Sequence, residues 1–506
     1  DYLLLSYVIY NENLAIPYIA AGDNLNVPFI GRILRGGGAF FIRRSFRDNR
    51  LYSTIMRAYL LELVKLGVPL EYFVEGGRSR TGRMLKPRYG MLGMTVDAWM
   101  KTRERPLAFV PVYLGYEKLI EGKSYLGELY GGRKKRESTL GALGAIFRLK
   151  GHFGRVTASF GEPIKLAQLL QRQCPDWENR VDEIDDRPAW YKASLQRLGA
   201  EIMQGIGRAC VINPVNSVAS VLLATPRQSI EIDELIEQCA LHSRLVRDTP
   251  CLASIRVEGE VDRATIEHLQ RQKIVHLREH ELGDIVYLEP EDAVLLGYYR
   301  NNSLHSLVIA ALVACCFSNL RRLSRESLQR KVALLYPFLK SELQLEWSEA
   351  ELPRIVDQFT HSLISEGLLE ARNTDLRRPA RSDHAFIQLM RLAQIVQPIL
   401  ERYYMTFILL WQTADAPLDE QQLEHRCHLL AQKISMIYGI NAPDFFDRLL
   451  FRDFISTMLD QEYLRHDEQR KLIFAPGFDF VPLDVRSLLS TEVRSSILAI
   501  VKTSPH

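Results

Sequence analysis

Paired cysteines are missing from this sequence. Its seven cysteines are scattered along 506 residues, and no Cys-x-x-Cys spacing occurs among them. A disulfide framework uses an even set of cysteines in an oxidising compartment, and a zinc site uses ligands at short, defined spacings. We therefore predict free thiols in a reducing compartment and no metal site.

The sequence also lacks a long apolar run and a strong net charge. Its longest apolar stretch, Leu307–Phe317, falls well short of the ~20 residues that a membrane-spanning helix needs, so a buried core helix is favoured over membrane insertion. The 64 Lys and Arg residues nearly balance the 61 Asp and Glu residues, which leaves a net charge of +3. Composition therefore gives no support to nucleic-acid binding. Any contact with a membrane is expected at its surface.

The chain has the composition of a folded protein and is long enough for two or three domains. Hydrophobic residues make up 47% of it and charged residues 25%, as is usual for globular domains. It starts at Asp1 without an initiating Met, and its first residues have the pattern of an amphipathic or buried helix. We therefore expect it to be part of a longer protein.

Residues 1–215 have the pattern of an α/β domain with a mainly parallel sheet. Helical periods of apolar residues alternate there with short runs rich in β-branched and aromatic residues. We predict one helix at 2–13 and a longer one that ends at Gly67, with Asp48 as its N-cap. Strands are predicted at 18–21, 39–43, 70–74, 107–113 and 156–160.

Residues 216–506 are predicted to form a mostly helical C-terminal region. Segments 220–238, 312–332 and 409–432 each combine an apolar helix, a short turn and a second helix that opens with acidic residues. Two of them are followed by β-like stretches, which is the pattern of a winged-helix-like unit. Such units often bind DNA, but phosphates repel acidic helices, so a scaffold or docking role is favoured.

The most specific motif of the first domain is FVEGGRSRTG, at Phe73–Gly82. A predicted strand leads into Glu75 and then a glycine loop, where α/β folds place ligands because glycine lets the backbone approach a substrate closely. Gly77, Arg78 and Ser79 follow, and charge-assisted hydrogen bonds to a phosphate contribute on the order of 1.5–3 kcal/mol each. An exposed turn would explain the glycines, but not three arginines clustered beside a strand-end glutamate. Those arginines are Arg78, Arg80 and Arg83.

Two further motifs are apolar strands that carry a candidate site residue. One ends in the pair Arg43 and Arg44, and because side chains alternate along a strand, at most one of the two reaches a shared site. We assign Arg44 to the substrate. The other contains Pro111, which suits an edge strand or a pocket wall better than a central ladder position.

Together these blocks resemble the glycerolipid acyltransferase superfamily. FFIRR, FVEGGRSRTGR and FVPVYLGY are similar, in this order, to its second, third and fourth motifs. The opening DYLLLSYV is similar to the end of its first motif, His-x4-Asp, and the residues after it, with Asp1 as the aspartate. RLYSTIMRAYL, PVYLGYEKL, FGEPI, YYRNNSLH and GINAPDFFD resemble the bacterial PlsB-type glycerol-3-phosphate acyltransferases, and this resemblance covers nearly the entire chain.

The resemblance implies a reaction and a set of binding residues. The reaction is acyl transfer from acyl-CoA or acyl-ACP (acyl carrier protein) to the sn-1 hydroxyl of glycerol 3-phosphate, the first step of phospholipid synthesis. Arg44, with help from Arg78, Ser79 and Gly77, is implied to hold the phosphate. No metal is implied, and no cofactor other than the acyl donor.

The catalytic groups are also implied by the resemblance. The motif histidine is the implied base, and Asp1 orients and supports its imidazole. Glu75 is implied to bond the glycerol hydroxyls or to hold an arginine, and Pro111 to shape the acyl-donor side. No histidine precedes His152, which we interpret as a loop residue rather than a replacement base. We therefore expect the isolated chain to be inactive and the protein that carries it to be the enzyme.

A basic run at Arg133–Arg136 precedes an apolar-faced helical period and bears on partners. Such a helix suits an anionic membrane, an acidic acyl carrier protein or the phosphates of CoA, although a helix packed on its own domain has the same pattern. The resemblance implies a peripheral protein on the cytoplasmic side of the bacterial inner membrane, without a nucleic-acid partner. Alternatives are acylation of dihydroxyacetone phosphate or of a lysophospholipid and, in another class, a non-catalytic membrane-surface scaffold.

Overall fold

The chain divides into two compact units. The structure, a computed structural model, describes residues 1–26, 28, 30–43, 49–77, 79, 81–119, 154–438, 442–476, 488–489 and 491–503. The first unit takes in the described residues of Asp1–Ser79, Met84–Tyr116 and Lys134–Ala209, and the second those of Arg80–Arg83, Glu117–Arg133 and Cys210–His506. The division at residue 215 that the sequence suggested stays a prediction.

The first unit alternates helices with strands, as expected of an α/β fold. Its described elements are α1 (Tyr2–Asn11), β1 (Tyr18–Gly22), α2 (Ile30–Gly36), β2 (Ala39–Ile42), α3 (Arg50–Leu66), β3 (Leu70–Glu71), α4 (Tyr89–Thr102), β4 (Ala108–Phe109), β5 (Val112–Tyr116), β6 (Val156–Phe160), β7 (Ile164–Lys165), α5 (Leu166–Gln173) and α6 (Ala189–Arg208), with 3-10 turns at Asp23–Leu25 and Trp177–Asp186.

Three strands of this unit form a parallel sheet in the order β2-β1-β3. Ile19 in β1 pairs with Ala39 of β2 and with Glu71 of β3. The middle of the central strand, residues 19–21, is apolar and buried, as is usual for a parallel strand with a neighbour on each side. The parallel ladder confirms the predicted fold class. It also brings the carboxyl ends of the three strands to one edge, where the motif residues follow in sequence.

Helix α3 links β2 to β3, and its two ends are set by local chemistry. Asn49 is the N-cap, and its side chain accepts a hydrogen bond from the Tyr52 N–H at 2.9 Å. Gly67 ends the helix in the left-handed conformation at φ 70°, as predicted. Asp48, the predicted cap, lies outside the described residues, and the residue after it does the capping.

The strand predicted over 107–113 is interrupted at Pro111. β4 ends at Phe109 and pairs antiparallel with β7, whereas β5 begins at Val112 and pairs antiparallel with β6. Proline has no N–H to donate, so it separates two ladders instead of joining one. The prediction of a single strand here is wrong for that reason, whereas the strand predicted at 156–160 is confirmed as β6.

The second unit is mainly helical. Its described elements are β8 (Val211–Ile212), α7 (Pro214–Leu222), β9 (Ser229–Glu231), α8 (Ile232–Asp248), β10 (Arg256–Val257), α9 (Arg263–Arg271), β11 (His276–Arg278), β12 (Ile285–Tyr287), α10 (Pro290–Cys316), β13 (Arg322–Ser324), α11 (Arg325–Leu343), α12 (Leu352–Ser365), β14 (Glu370–Arg372), β15 (Asp375–Arg377), α13 (His384–Gln394), α14 (Gln397–Gln412), α15 (Glu420–Tyr438), α16 (Arg448–Asp460), β16 (Leu464–His466), β17 (Leu472–Phe474) and α17 (Thr491–Thr503).

One arrangement recurs within the described part of this unit: a helix, a short extended segment, two helices and a β-hairpin. It is formed by α7 to β12, by α10 to β15 and by α14 to β17. In the first two cases the short strand pairs with the hairpin in a three-stranded antiparallel sheet. In the third, the Leu472 N–H donates to the Leu418 carbonyl at 2.8 Å, at the corresponding place. The winged-helix-like pattern read from the sequence is therefore present in the fold.

Helix α10 is a core helix. Residues Leu307–Phe317 within and just after it are only 0–4% exposed, which confirms the prediction of a buried helix for this apolar stretch. Across the described residues, none of the helices combines the length and the apolar character that crossing a bilayer requires. All seven cysteines are free thiols.

Candidate functional site

The start of helix α1 gathers three of the four motif segments. The Tyr116 hydroxyl, at the end of β5, donates a hydrogen bond to Oδ1 of Asp1. The ring of Tyr2 lies 4.8 Å from the ring of Phe73, which leads into the glycine loop. Asp1 is itself exposed. The first, third and fourth motifs therefore meet in the first unit, with an accessible carboxylate among them.

Glu75 closes the base of the glycine loop. Its Oε2 accepts a hydrogen bond from the Leu85 N–H at 3.0 Å, and the Arg88 N–H donates to the Val74 carbonyl at 2.8 Å beside it. Gly76 turns the chain at φ 64°, where a side chain would be strained. Burial raises the pKa of Glu75, and the hydrogen bond from Leu85 only partly offsets that effect. The contact that the structure shows for Glu75 is thus with loop backbone.

Ser79 has a buried hydroxyl without a described partner, and Gly77 has open space beside its backbone. The Oγ of Ser79 is buried and has no hydrogen-bond partner within the described part of the chain. A hydroxyl in that position costs ~1–3 kcal/mol unless something satisfies it. No heavy atom lies within 4 Å of where a Cβ on Gly77 would be, so its backbone is open to close approach. Both residues therefore suit the phosphate-binding role assigned to them.

The predicted arginine ligands Arg44 and Arg78 lie outside the described residues. Arg43, next to Arg44, is described. Its guanidinium carbon lies 4.9 Å from the centre of the Tyr52 ring, and its backbone N–H donates a hydrogen bond to the Tyr52 hydroxyl at 3.2 Å. Arg43 is thus held against α3. The expectation that at most one arginine of the pair reaches a shared site stays a prediction, because Arg44 lies outside the described residues.

Pro111 is buried between secondary-structure elements of the first unit. Its carbonyl accepts a hydrogen bond from the Gly161 N–H at 2.8 Å. Its ring lies so close to Gly205 in α6 that a Cβ added there would be 2.5 Å from the proline Cγ. Pro111 therefore packs against α6, as a wall residue does. Its assignment to the acyl-donor side stays a prediction.

Two features of the site region differ from the expectations drawn from the sequence. Arg83, grouped by sequence with the arginines of the loop, belongs to the second unit, and its guanidinium is bound there to the carboxylates of Glu342 and Asp444. Glu71 was missed: its Oε2 is buried without a partner in the described part of the chain, and burial raises its pKa to about 7. An acid within a predicted buried strand was the signal that could have identified it.

His152 and the basic run Arg133–Arg136 with the helical period after it lie outside the described residues. Among the residues that are described, no cluster of three His, Cys, Asp or Glu side chains could hold a metal ion.

Two family models match the chain. The one described as "Glycerol-3-phosphate acyltransferase C-terminal region" matches residues 125–467, and the one described as "Acyltransferase" matches residues 1–115. The second match covers Asp1, Glu75, Ser79 and Pro111 of the site described above and ends one residue before Tyr116.

Curated relatives match almost the whole chain. A protein of Pseudomonas fluorescens (strain SBW25), named "Glycerol-3-phosphate acyltransferase", is 43% identical over 498 residues, which are 98% of this chain and 59% of the relative. One of Pseudomonas aeruginosa (strain UCBPP-PA14), with the same name, is 42% identical over 506 residues, which are 100% of this chain and 61% of the relative. The chain thus spans about three fifths of the length of these relatives.

Proposed function

Because the chain belongs to the glycerol-3-phosphate acyltransferase family, we propose that the protein that carries it transfers an acyl group from a thioester to the sn-1 hydroxyl of glycerol 3-phosphate. The product is 1-acylglycerol 3-phosphate, and the second product is the free thiol of the donor. The donor is acyl-CoA or acyl-ACP, and the thiol released is CoA or acyl carrier protein. We further propose that the protein acts at the cytoplasmic face of the bacterial inner membrane, in phospholipid synthesis.

The observation that supports this proposal most directly is the meeting of three motif segments at the start of α1. Asp1 accepts a hydrogen bond from the Tyr116 hydroxyl, and the ring of Tyr2 packs against that of Phe73, just before the glycine loop. A carboxylate that orients a base has to lie near the residues that bind the substrate, and the contact between Tyr2 and Phe73 supports such a position for Asp1. Sequence spacing alone does not require it.

Acyl transfer needs a base because an alcohol is a weak nucleophile at neutral pH. In the proposed step the imidazole of the first-motif histidine takes the proton from the sn-1 hydroxyl while its oxygen attacks the thioester carbonyl. The carbon–sulfur bond then breaks, and the thiolate leaves and is protonated by the imidazolium. Asp1 would hold the imidazole in the right tautomer and stabilise its positive charge. No acyl-enzyme is required.

The phosphate of the substrate is proposed to be held by Arg44, Arg78 and Ser79. A doubly charged phosphate favours arginine, whose planar fork donates two hydrogen bonds at once. The unpartnered Oγ of Ser79 and the open backbone at Gly77 support a ligand at this loop. Held in this way, the substrate presents its hydroxyl to the base and the thioester in a fixed geometry. Glu75 would keep the loop closed through Leu85.

The first experiment measures acyl transfer from palmitoyl-CoA to radiolabelled glycerol 3-phosphate in detergent–lipid micelles, with the full-length protein that carries this chain. Arg44→Ala is expected to raise the KM for glycerol 3-phosphate about 10-fold or more, because one charge-assisted contact is lost. Arg43→Ala is the matched control, since Arg43 is held against Tyr52. Its KM should stay within about 2-fold of wild type.

The outcomes distinguish the proposed reaction from a non-catalytic scaffold role. Lipid-extractable label with the wild-type protein, and a higher KM with Arg44→Ala alone, supports both the reaction and the phosphate role. The proposed reaction would be overturned if a folded, lipid-supplied preparation gave no labelled lipid with acyl-CoA or with acyl-ACP as donor.

A further inference from the structure

Two sequence motifs of the second unit are not explained by the proposed reaction. YYRNNSLH, at 298–305, lies in α10, and GINAPDFFD, at 439–447, precedes α16. The structure brings Arg300 and Asn301 from the first together with Asp444 from the second. Asp444 also accepts a hydrogen bond from Arg83, at the end of the GGRSRTGR motif.

The contacts among these residues form one connected network. Asp444 Oδ2 accepts hydrogen bonds from Nη2 of Arg83 at 2.8 Å and from Nη2 of Arg300 at 2.9 Å. Glu342 accepts from the guanidinium groups of Arg83 and Arg402. Arg83 is therefore held by two carboxylates, and each carboxylate is also held by a second arginine.

The same network also contacts the backbone of the GGRSRTGR motif. Asn301 Nδ2 donates to the Thr81 carbonyl at 2.7 Å, while Asn301 Oδ1 accepts from Arg300 at 3.0 Å. Gly82 lies at φ 78°, and a Cβ added there would be 2.2 Å from the Tyr298 carbonyl oxygen. Thr81, Gly82 and Arg83 are thus fixed by a hydrogen bond, by close backbone packing and by ion pairs, three independent constraints on consecutive residues.

Because the network is buried, its main contribution is a defined geometry and not added stability. The side chains of Arg83, Arg300, Arg402, Glu342 and Asp444 are all at most 7% exposed. Burial would raise the pKa of Asp444, but Arg300 and Arg83 outweigh it and hold that pKa far below its usual value. Buried ion pairs are often no more stabilising than apolar residues of the same size, so what they contribute is a defined geometry. Three arginines with two carboxylates allow few alternative arrangements.

We propose that this network, which we call the arginine anchor (Arg83, Arg300, Asn301, Glu342, Arg402 and Asp444), positions the glycine loop for binding the substrate phosphate. The anchor holds the loop at Thr81–Arg83, directly after Ser79, and the hydrogen bond from Leu85 to Glu75 closes its base. Its members are positioning residues that do not touch the substrate. This inference rests on the proposed function, because it assigns the phosphate to that loop.

The test is Asp444→Asn, which keeps the size of the side chain and removes its charge. In the full-length protein we expect the KM for glycerol 3-phosphate to rise about 10-fold, because small misplacements of a binding loop are costly. The KM for the acyl donor and kcat should change less than about 2-fold. A merely structural role would instead lower the amount of active enzyme and leave both KM values unchanged.

The chain offers a matched control for this change. Glu424 is a carboxylate of the same unit, 4% exposed, and it accepts hydrogen bonds from Arg448 at 2.7 Å and Arg452 at 2.8 Å. None of these three residues belongs to the arginine anchor. Glu424→Gln should therefore leave the KM for glycerol 3-phosphate at the wild-type value. An equal rise of this KM in both variants overturns the inference.

A second variant and a second measurement decide the case if Asp444→Asn does not fold. Asn301→Ala removes the hydrogen bond to Thr81 and keeps all five charged members. Amide hydrogen exchange of the peptide that covers Glu75–Leu85 should be faster in this variant than in Glu424→Gln. Unchanged exchange overturns the inference. Because exchange needs no turnover, it gives an answer even if the wild-type protein shows no acyl transfer, which would overturn the proposed function alone.

Discussion

Burial of two acids near the proposed binding loop makes that region sensitive to pH. Glu71 in β3 has its pKa raised to about 7 by burial, and the pKa of Glu75, four residues later, is raised for the same reason. A raised pKa means that the folded state binds the proton more tightly than the unfolded state does. The stabilisation is fully present below the ordinary value of 4.5 and is lost as the pH rises through about 7.

Glu71→Gln is expected to flatten this pH dependence. The amide cannot ionise, so between about pH 5 and pH 8 the melting temperature should fall less in the variant than in the wild-type protein. Thermal unfolding at several pH values measures the difference. Glu62→Gln, at an exposed position of α3, is the control and should keep the wild-type dependence. Parallel curves for wild type and Glu71→Gln would contradict the assignment.

The described residues of the loop 75–85 are attached to the rest of the protein at two places. Glu75 accepts from Leu85 at its base, and the arginine anchor holds Thr81, Gly82 and Arg83. Glycine is required where the chain is both left-handed and close to other backbone, and Gly82 meets both conditions. A loop held in this way keeps a hydroxyl such as that of Ser79 in one position, so a ligand that binds there does not have to bear the entropy cost of ordering the loop.

Gly82→Ala should be destabilising for this reason. An added methyl group would meet the Tyr298 carbonyl oxygen, and the left-handed backbone would be strained, which together cost at least ~1–3 kcal/mol of unfolding free energy. Urea unfolding followed by circular dichroism measures it. Gly90→Ala in α4 is the control, because no atom lies within 4 Å of its Cβ position. That change should be neutral or stabilise by about 0.5–1 kcal/mol. Equal effects of the two substitutions would contradict the role given to Gly82.

At the scale of the whole molecule, an α/β unit with the site is combined with a larger helical unit built from a recurring helix–strand–helix–helix–hairpin arrangement. The segment Arg80–Arg83 belongs to the second unit, although its neighbours in sequence belong to the first. The acidic second helices of the recurring arrangement leave docking or support as its favoured role, in line with the charge argument from the sequence.

The basic run Arg133–Arg136 belongs to the same scale, because it concerns where the protein acts. Replacing all four residues by Gln should weaken binding to anionic vesicles by about 10-fold or more, since each cation near such a surface contributes about 1 kcal/mol. Vesicle sedimentation measures this, with zwitterionic vesicles for comparison. A control with the same loss of charge replaces the exposed Arg330, Arg354, Arg372 and Arg465. Unchanged sedimentation of the first variant would remove the membrane role of the run.

Much of the local structure could be predicted because its causes act within a few residues. The end of α3 at Gly67 and strand β6 follow from turn chemistry and side-chain alternation. The buried helix around Leu307–Phe317 follows from an apolar run too short for a membrane. The single strand predicted over 107–113 is wrong because Pro111 has no N–H to pair, so the apolar residues on its two sides join different ladders.

The sequence by itself determined the alternation of helix and strand, the helical C-terminal region and the motif residues of the candidate site. Periodicity, capping and residue type are written into neighbouring positions, so they can be read without the fold. Only the tertiary structure decided which partners these residues have. Arg83 binds Glu342, 259 positions away, and Asp444, 361 positions away. Such pairings depend on which surfaces the folded chain buries together, and burial is a property of the whole fold that no local pattern contains.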